Sequence, residues 1–161
     1  MKAAFAAFTI TITVLMIVTT IIGAQVRGEV WFAQHFALGL MTTLFTCLCH
    51  CVVLAYFMAT GKMMRLAIED AHLDAALDGR AHALKVKAYA VLMPAIVIAL
   101  LAAFSGGWAT LDQSRAETHL MAVILSIATQ LAAFFREYVL IADNGRLMDD
   151  VFARHELHKR R

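Results

Sequence analysis

Two histidines, His35 and His50, lie within a single apolar run of the chain, residues 31–56. An ionisable ring is costly to bury in such a run, so each of them indicates a functional site. Their separation of fifteen residues is about four helical turns, so on one helix both rings point to the same side within roughly 60°. At a rise of ~1.5 Å per residue they lie ~22 Å apart along the axis, one towards each surface of a bilayer.

A third histidine, His119, lies near the start of the last apolar run, at a depth similar to that of His35 in its own run. Two neutral imidazoles from facing helices are the axial ligands of a low-spin b-type haem. Gly39 removes a side chain one turn below His35, where a porphyrin would contact the helix. Arg115, one turn above His119, and Arg27 are candidates for pairing with the haem propionates. The sequence therefore predicts a bis-histidine haem b site towards the outer surface.

His50 has no histidine at a matching depth on another apolar run. Met93 lies at about that depth, so a His/Met pair holding a second haem is one interpretation, which makes the cofactor one or two haems. A five-coordinate haem, or a ligand from a second copy of the chain, is also open. In the alternative interpretation His50 hydrogen-bonds to a carbonyl that Pro94, the only proline, frees in its helix.

The composition indicates what kind of structure holds these residues. Of the 161 residues, 61% are hydrophobic and only 16% are charged. Such a chain is too apolar for a soluble domain of this size. Four runs are long enough to cross a membrane as helices, at about 4–24, 32–57, 86–109 and 118–142. They predict an all-α fold, a polytopic membrane four-helix bundle that forms one domain over residues 1–161.

The segments outside these runs, the loop 58–85 and the tail 143–161, are charged and rich in helix-forming residues. We expect them to form helical cytoplasmic extensions, with the loop turning near Asp78-Gly79 and the third helix ending near Ser105–Gly107.

Charge placement predicts the orientation of the bundle. Arg27 and Arg115 flank one side, and the other 12 of the 14 lysine and arginine residues flank the opposite side. The positive-inside rule therefore places both termini and the long loop in the cytoplasm of a bacterial-type inner (plasma) membrane, with lipid as the surrounding solvent. The basic residues are spread out and mixed with acidic ones, so the sequence does not indicate nucleic-acid binding.

A helix with His35, Gly39 and His50, paired with a second helix carrying His119, resembles the small four-helix membrane-bound b-type cytochromes, such as respiratory-complex anchor subunits and di-haem cytochrome b modules. That family often carries two histidines on each of two helices, whereas here Ala133 lies at the level of the missing one. The resemblance implies haem b and electron transfer rather than a stand-alone enzyme. It also implies exchange of electrons with quinone or a protein partner, in a homo-oligomer or as a subunit of a membrane complex.

Two other functions fit the same sequence. A structural or assembly subunit of a larger membrane complex is consistent with the lack of a nucleophile–base pair, a phosphate-binding loop or a carboxylate cluster, so no catalytic residue is predicted. A metal or proton transporter would use His50, Cys47 and Cys51 with Gln130 and Glu137 along its path. The last apolar run carries a polar stripe at helical spacing: His119, Ser126, Gln130 and Glu137.

Overall fold

The chain folds into four α-helices in a computed structural model that describes residues 1–27, 29–112 and 115–160. The helices are α1 (Lys2–Gly23), α2 (Phe32–Asp70), α3 (Ala76–Leu111) and α4 (Ala116–Lys159). Each of them contains an apolar stretch long enough to cross a membrane. The prediction of an all-α fold with four such helices is therefore confirmed. Arg161, one of the basic residues that predict the orientation, lies outside the described residues.

α2 and α4 form the centre of the bundle. Each of them packs against the three other helices, whereas α1 and α3, over the described residues, contact only α2 and α4. A side chain that points from α2 towards α4 is consequently covered on both sides by a further helix. This arrangement makes the α2–α4 contact the most deeply buried place in the molecule.

Apolar side chains fill one cluster in the four-helix part and also cover its outside. The inner cluster includes Phe5 and Ile12 of α1, Phe57 of α2 and Leu92 of α3. Large apolar side chains on all four helices point outward and remain exposed, which is the reverse of the surface of a soluble bundle. Such an exterior is compatible with a membrane protein.

α2, α3 and α4 continue for several turns beyond the apolar stretches at one end of the molecule. A second apolar cluster holds these extensions together, with Met64 and Val151 fully buried in it. His155 Nε2 of α4 lies 2.8 Å from Asp70 Oδ2 at the end of α2. This hydrogen bond lowers the pKa of the Asp70 carboxyl, so its stabilising effect is present near neutral pH and is lost as the pH falls through that lowered value.

Two predicted boundaries in α3 are wrong. The chain turns at residues 71–75 rather than at Asp78-Gly79, and in this turn Asp74 Oδ1 accepts a hydrogen bond from the backbone N–H of Ala76, the first residue of α3, at 2.8 Å. Asp78 and Gly79 lie inside the first turns of α3. At its other end α3 continues through Gly106 to Leu111, so the glycines there do not end the helix.

The second cluster provides a test of the extensions with two adjacent methionines. Met64 is fully buried, whereas Met63 is 51% exposed. We expect Met64→Ala to destabilise the protein by about 2–5 kcal/mol through the cavity that it leaves, and Met63→Ala to change stability by less than about 0.5 kcal/mol. Thermal unfolding in detergent, followed by circular dichroism, measures both. Equal effects would contradict the packing of the extensions.

Candidate functional site

The buried polar side chains of the described residues concentrate between α2 and α4. Nine polar or charged side chains are buried, and all except Thr9 belong to these two helices. We call these eight residues the polar seam: Thr42, Thr46, His50 and Thr60 of α2, with Ser126, Gln130, Glu137 and Asn144 of α4. In α4 the last three follow one another at intervals of seven residues, about two turns, which keeps them on one face.

His50, Gln130 and Glu137 meet at the centre of the polar seam, and none of the three side chains is exposed at all. The Nε2 atom of His50 lies 2.7 Å from Oε1 of Gln130, and its Nδ1 atom lies 2.7 Å from Oε1 of Glu137. Gln130 and Glu137 are two turns apart on α4, so both can reach the single ring that α2 places between them.

Gln130 fixes the position of one proton on His50. The amide Nε2 of Gln130 donates a hydrogen bond to the Ala95 carbonyl of α3 at 2.8 Å, so its Oε1 is the atom that faces the ring. A carbonyl oxygen only accepts, and His50 Nε2 must therefore carry a hydrogen and donate it. The predicted bond from His50 to the carbonyl that Pro94 frees is therefore not made, and the carbonyl that Gln130 reaches is that of Ala95 and not the freed one of Ala90.

Glu137 is the least satisfied group of the site. His50 Nδ1 lies close to Glu137 Oε1, but the contact does not have the geometry of a hydrogen bond. Among the described residues, neither carboxyl oxygen of Glu137 has an aligned hydrogen-bond partner. Around the pair lie the Phe134 ring, 5.5 Å from the imidazole, and the buried Cys49. A bare carboxylate is strongly disfavoured in such surroundings.

Two arrangements of protons leave the His50–Glu137 pair without a net charge. With Nε2 protonated, one is a neutral imidazole beside a carboxylic acid and the other is an imidazolium beside a carboxylate. They differ only in whether one proton is on Oε1 or on Nδ1. The site is therefore a buried imidazole–carboxyl pair that can hold one proton between its two side chains.

The polar seam continues from this pair towards the extensions. Asn144 Nδ2 donates to Thr60 Oγ1 at 2.9 Å, and Thr60 donates in turn to the Tyr56 carbonyl at 2.8 Å. The sequence analysis missed this buried contact because it ended the fourth span at residue 142. The spacing of seven residues from Gln130 through Glu137 to Asn144 is the signal that would have extended the buried stripe.

Towards the other end, the polar seam continues through hydroxyl groups. Thr46 Oγ1 donates to the Thr42 carbonyl at 2.7 Å, and the hydroxyls of Thr42 and Thr19 are 3.2 Å apart. Thr19 belongs to α1, and its carbonyl lies 3.1 Å from His35 Nδ1. Three hydroxyls and the carbonyls of Thr42 and Thr19 thus lead from Thr46, one turn before His50, to the end of the molecule where His35 lies.

His35 and His119 lie close together at that end, as their equal depths predict. Their ring centroids are 6.1 Å apart, with an angle of 70° between the ring planes. His35 Nδ1 must donate to the Thr19 carbonyl, and the Ser105 hydroxyl, which donates to Ala102, accepts from His119 Nδ1 at 3.0 Å. When both rings are neutral, each is therefore protonated at Nδ1, and its Nε2 is the unprotonated nitrogen that can accept a hydrogen bond or bind a metal.

Glycines in the neighbouring helices make room for the two rings. A Cβ atom on Gly23 would lie 2.6 Å from Cε1 of His35, and one on Gly106 would lie 3.0 Å from Cε1 of His119. Neither distance is compatible with an unshifted alanine. Gly106 was predicted to lie at the end of a helix, and the role of Gly23 was not predicted.

A haem iron would need the Nε2 atoms of His35 and His119 as its two axial ligands, and these two rings are brought together with their centroids 6.1 Å apart. Each Nδ1 is held by an oxygen, as is usual for a metal-bound histidine. Over the described residues there is no group of three or more His, Cys, Asp and Glu side chains for a metal ion that needs more ligands.

The residues predicted to assist a haem lie elsewhere. A Cβ on Gly39 would meet only the Thr19 side chain, at 3.8 Å, so α1 rather than a porphyrin covers this glycine. The exposed Arg115 lies over the Trp108 ring and has its Nε 3.3 Å from Asp112 Oδ2. Arg27 is also exposed, in the loop before α2. The outer site therefore consists of the two imidazoles and the groups that hold them.

Met93 and His50 are not brought together. More than half of the Met93 side chain is exposed on α3, whereas both nitrogens of His50 face residues of α4. Cys47 and Cys51 also lie towards the outside, and it is Cys49 that is buried beside His50. Depth alone placed these residues at the same level, but the rotation of each helix directs them to different sides.

No protein-family model, curated protein or solved structure matches this chain. The function is therefore inferred from the site itself, because a four-helix bundle serves many unrelated functions.

Gln130→Leu tests the role of the amide at the central site. It leaves the His50 Nε2–H buried without an acceptor, and we expect a loss of about 1–3 kcal/mol in stability. Leu131→Ala, at a neighbouring position that is 46% exposed, is the control and should change stability less. Thermal unfolding in detergent measures both variants. A Gln130→Leu protein as stable as the parent would show that the amide does not hold the ring.

Proposed function

We propose that this chain is a four-span membrane protein that transfers protons through its core at the His50–Glu137 pair. The termini and the helical extensions lie on the cytoplasmic side. The proposal rests on one observation above all: a carboxyl group and an imidazole are fully buried side by side, and neither carboxyl oxygen has an aligned hydrogen-bond partner among the described residues. Ionisable groups inside a membrane domain mark ion or proton pathways, which makes proton transfer the function that this pair supports best.

The membrane placement is supported by the exterior and by the charges. Large apolar side chains cover the outside of the bundle, where a bilayer would contact them. Of the basic residues, Arg27 and Arg115 belong to the end with His35, and the remaining lysines and arginines belong to the other end or its extensions. That distribution favours the end with the extensions as the cytoplasmic one.

Proton transfer follows from the state of the pair. In its neutral state one proton lies on His50 Nε2 and one is shared between Nδ1 and Glu137 Oε1. Uptake of a third proton gives an imidazolium beside a carboxylic acid, with a net charge of +1 that Gln130 Oε1 stabilises from the other side of the ring. Release of the carboxyl proton restores the neutral pair, so the site accepts and returns one proton in each cycle.

The polar seam provides the positions along which the proton would reach the pair. Hydroxyl groups of Thr42, Thr46 and Ser126 lie on the outer side of the pair, and the Thr60–Asn144 contact lies on the inner side. Hydroxyls both donate and accept, so they can pass a proton to a bridging water. The seam is the part of the described chain where buried polar groups follow one another along the helix axis.

Glu137→Gln is the decisive variant for this function. It keeps the volume of the side chain but removes the proton-binding group, so proton flux into liposomes with an internal pH-sensitive dye should fall at least tenfold. Glu117→Gln, an exposed carboxyl of α4, is the matched control and should retain the flux of the parent. Parent protein that leaves liposomes no more permeable than empty ones would overturn the proposal.

The geometry of the outer end favours haem b binding by His35 and His119 as a second candidate function. Their Nε2 atoms would ligate the iron, while Thr19 and Ser105 would keep the rings oriented. A bound haem would supply one-electron chemistry, with quinone or a protein partner as the redox partner. In that role the chain would act as a homo-oligomer or as a subunit of a membrane complex.

An absorption spectrum tests the second candidate directly. Protein produced with an adequate haem supply should show the Soret and visible bands of a low-spin b-type haem, and His35→Ala or His119→Ala should abolish them. His72→Ala removes an exposed histidine from the turn between α2 and α3 and should leave the spectrum unchanged. A colourless parent protein would exclude the haem without affecting the proton-transfer proposal.

A further inference from the structure

A groove lies between α2 and α3 where these helices leave the apolar part of the bundle. Its volume is about 250 Å³, and its lining residues come from the end of the α2 span and from the first turns of α3. Gly61 forms part of its floor, and a Cβ there would meet nothing within 4 Å. The groove is therefore open space in the surface, created where α2 has no side chain.

Positive charge dominates the walls of this groove. Lys62 and Arg65 line it from α2, and His82 and Lys85 line it from α3. The only acid in the lining, Asp78, lies 3.3 Å from Arg65 and pairs with it. Over the described residues, neither Lys62 nor Lys85 has an acidic side chain within ion-pair distance, so two lysines face the same space without neutralisation. Such a site attracts an anion.

The other end of the groove is apolar. Met58 and the half-buried Tyr89 line it there, and the exposed Met93 lies one turn further along α3. From Met58 to Arg65 the groove extends over seven residues, about 10 Å of helix. That length is similar to the thickness of one headgroup layer of a bilayer, about 5–8 Å. Along the helix axis the groove thus changes from apolar to cationic over the distance at which a lipid changes from acyl chain to phosphate.

We propose that this groove binds the headgroup of an anionic phospholipid of the cytoplasmic leaflet, with its phosphate between Lys62 and Lys85. The acyl chains would continue past Met58 and Met93 along the apolar exterior. The inference rests on the membrane placement proposed above and not on proton transfer. A free phosphate ion shares the anionic chemistry, but the apolar end of the groove favours a lipid. Basic pockets between helices at the cytoplasmic surface are suited to such headgroups.

Thermal unfolding of the purified full-length chain in a neutral detergent tests the site. Phosphatidylglycerol should raise the melting temperature by about 4 °C or more, and phosphatidylcholine should not. In the variant Lys62→Ala/Lys85→Ala the apparent affinity for phosphatidylglycerol should fall at least tenfold. The control Arg80→Ala/Lys87→Ala also removes two exposed basic residues but none that lines the groove, and it should respond like the parent.

A second variant separates shape from charge. Gly61→Leu has room for its side chain and should fill the groove without altering any charge, so it should lose the response to phosphatidylglycerol while folding normally. Equal responses to both lipids, or equal losses in the groove and control variants, would overturn the proposal. An equal shift with inorganic phosphate alone would show a phosphate site and exclude the lipid. Extraction of the protein from cell membranes by alkaline carbonate would instead refute the membrane placement.

Discussion

The burial of Glu137 beside His50 is the constraint on which the arrangement of the four helices depends. Neither group can face lipid, and neither can be satisfied by its own helix, so each needs a polar partner from another helix. Apart from Thr9, the buried polar side chains of the described residues occur on α2 and α4, and these two helices occupy the centre. α1 and α3 supply mainly apolar side chains, together with Gly23 and Gly106, which accommodate the outer histidine rings, and they pack against α2 and α4.

Depth along each helix could be predicted from the sequence, because it requires only the ends of the apolar runs. On that basis His35 and His119 were expected at one level, and their rings indeed lie 6.1 Å apart. Rotation about the axis could not be predicted in the same way. A helix that is apolar on every side has no hydrophobic face to orient it, so Met93 and His50 share a level but point to different sides. The rotation is set by the few polar and small residues.

Two predictions from local sequence were wrong because the residue types on which they rested occur in more than one kind of structure. Asp78-Gly79 was predicted to be a turn, but the turn lies at residues 71–75, where Asp74 bonds to the Ala76 N–H, and a helix tolerates a glycine near its start. Gly106 was read as a helix end, whereas its lack of a side chain accommodates the His119 ring that α4 brings against α3. That second role depends on a contact between distant parts of the chain, so no local pattern could reveal it.

The histidines at the outer end, His35 and His119, interact only weakly by charge with the level of the His50–Glu137 pair. At ~22 Å and an effective dielectric constant of ~20, two unit charges interact by only about 0.8 kcal/mol. A charge at His35 or His119 therefore changes the protonation of the His50–Glu137 pair by about fourfold at most. Stronger coupling between the levels would have to pass through the hydrogen bonds of Thr19, Thr42 and Thr46, which connect them without a charged group. A change of charge at one level therefore has little direct effect on the charge of the other.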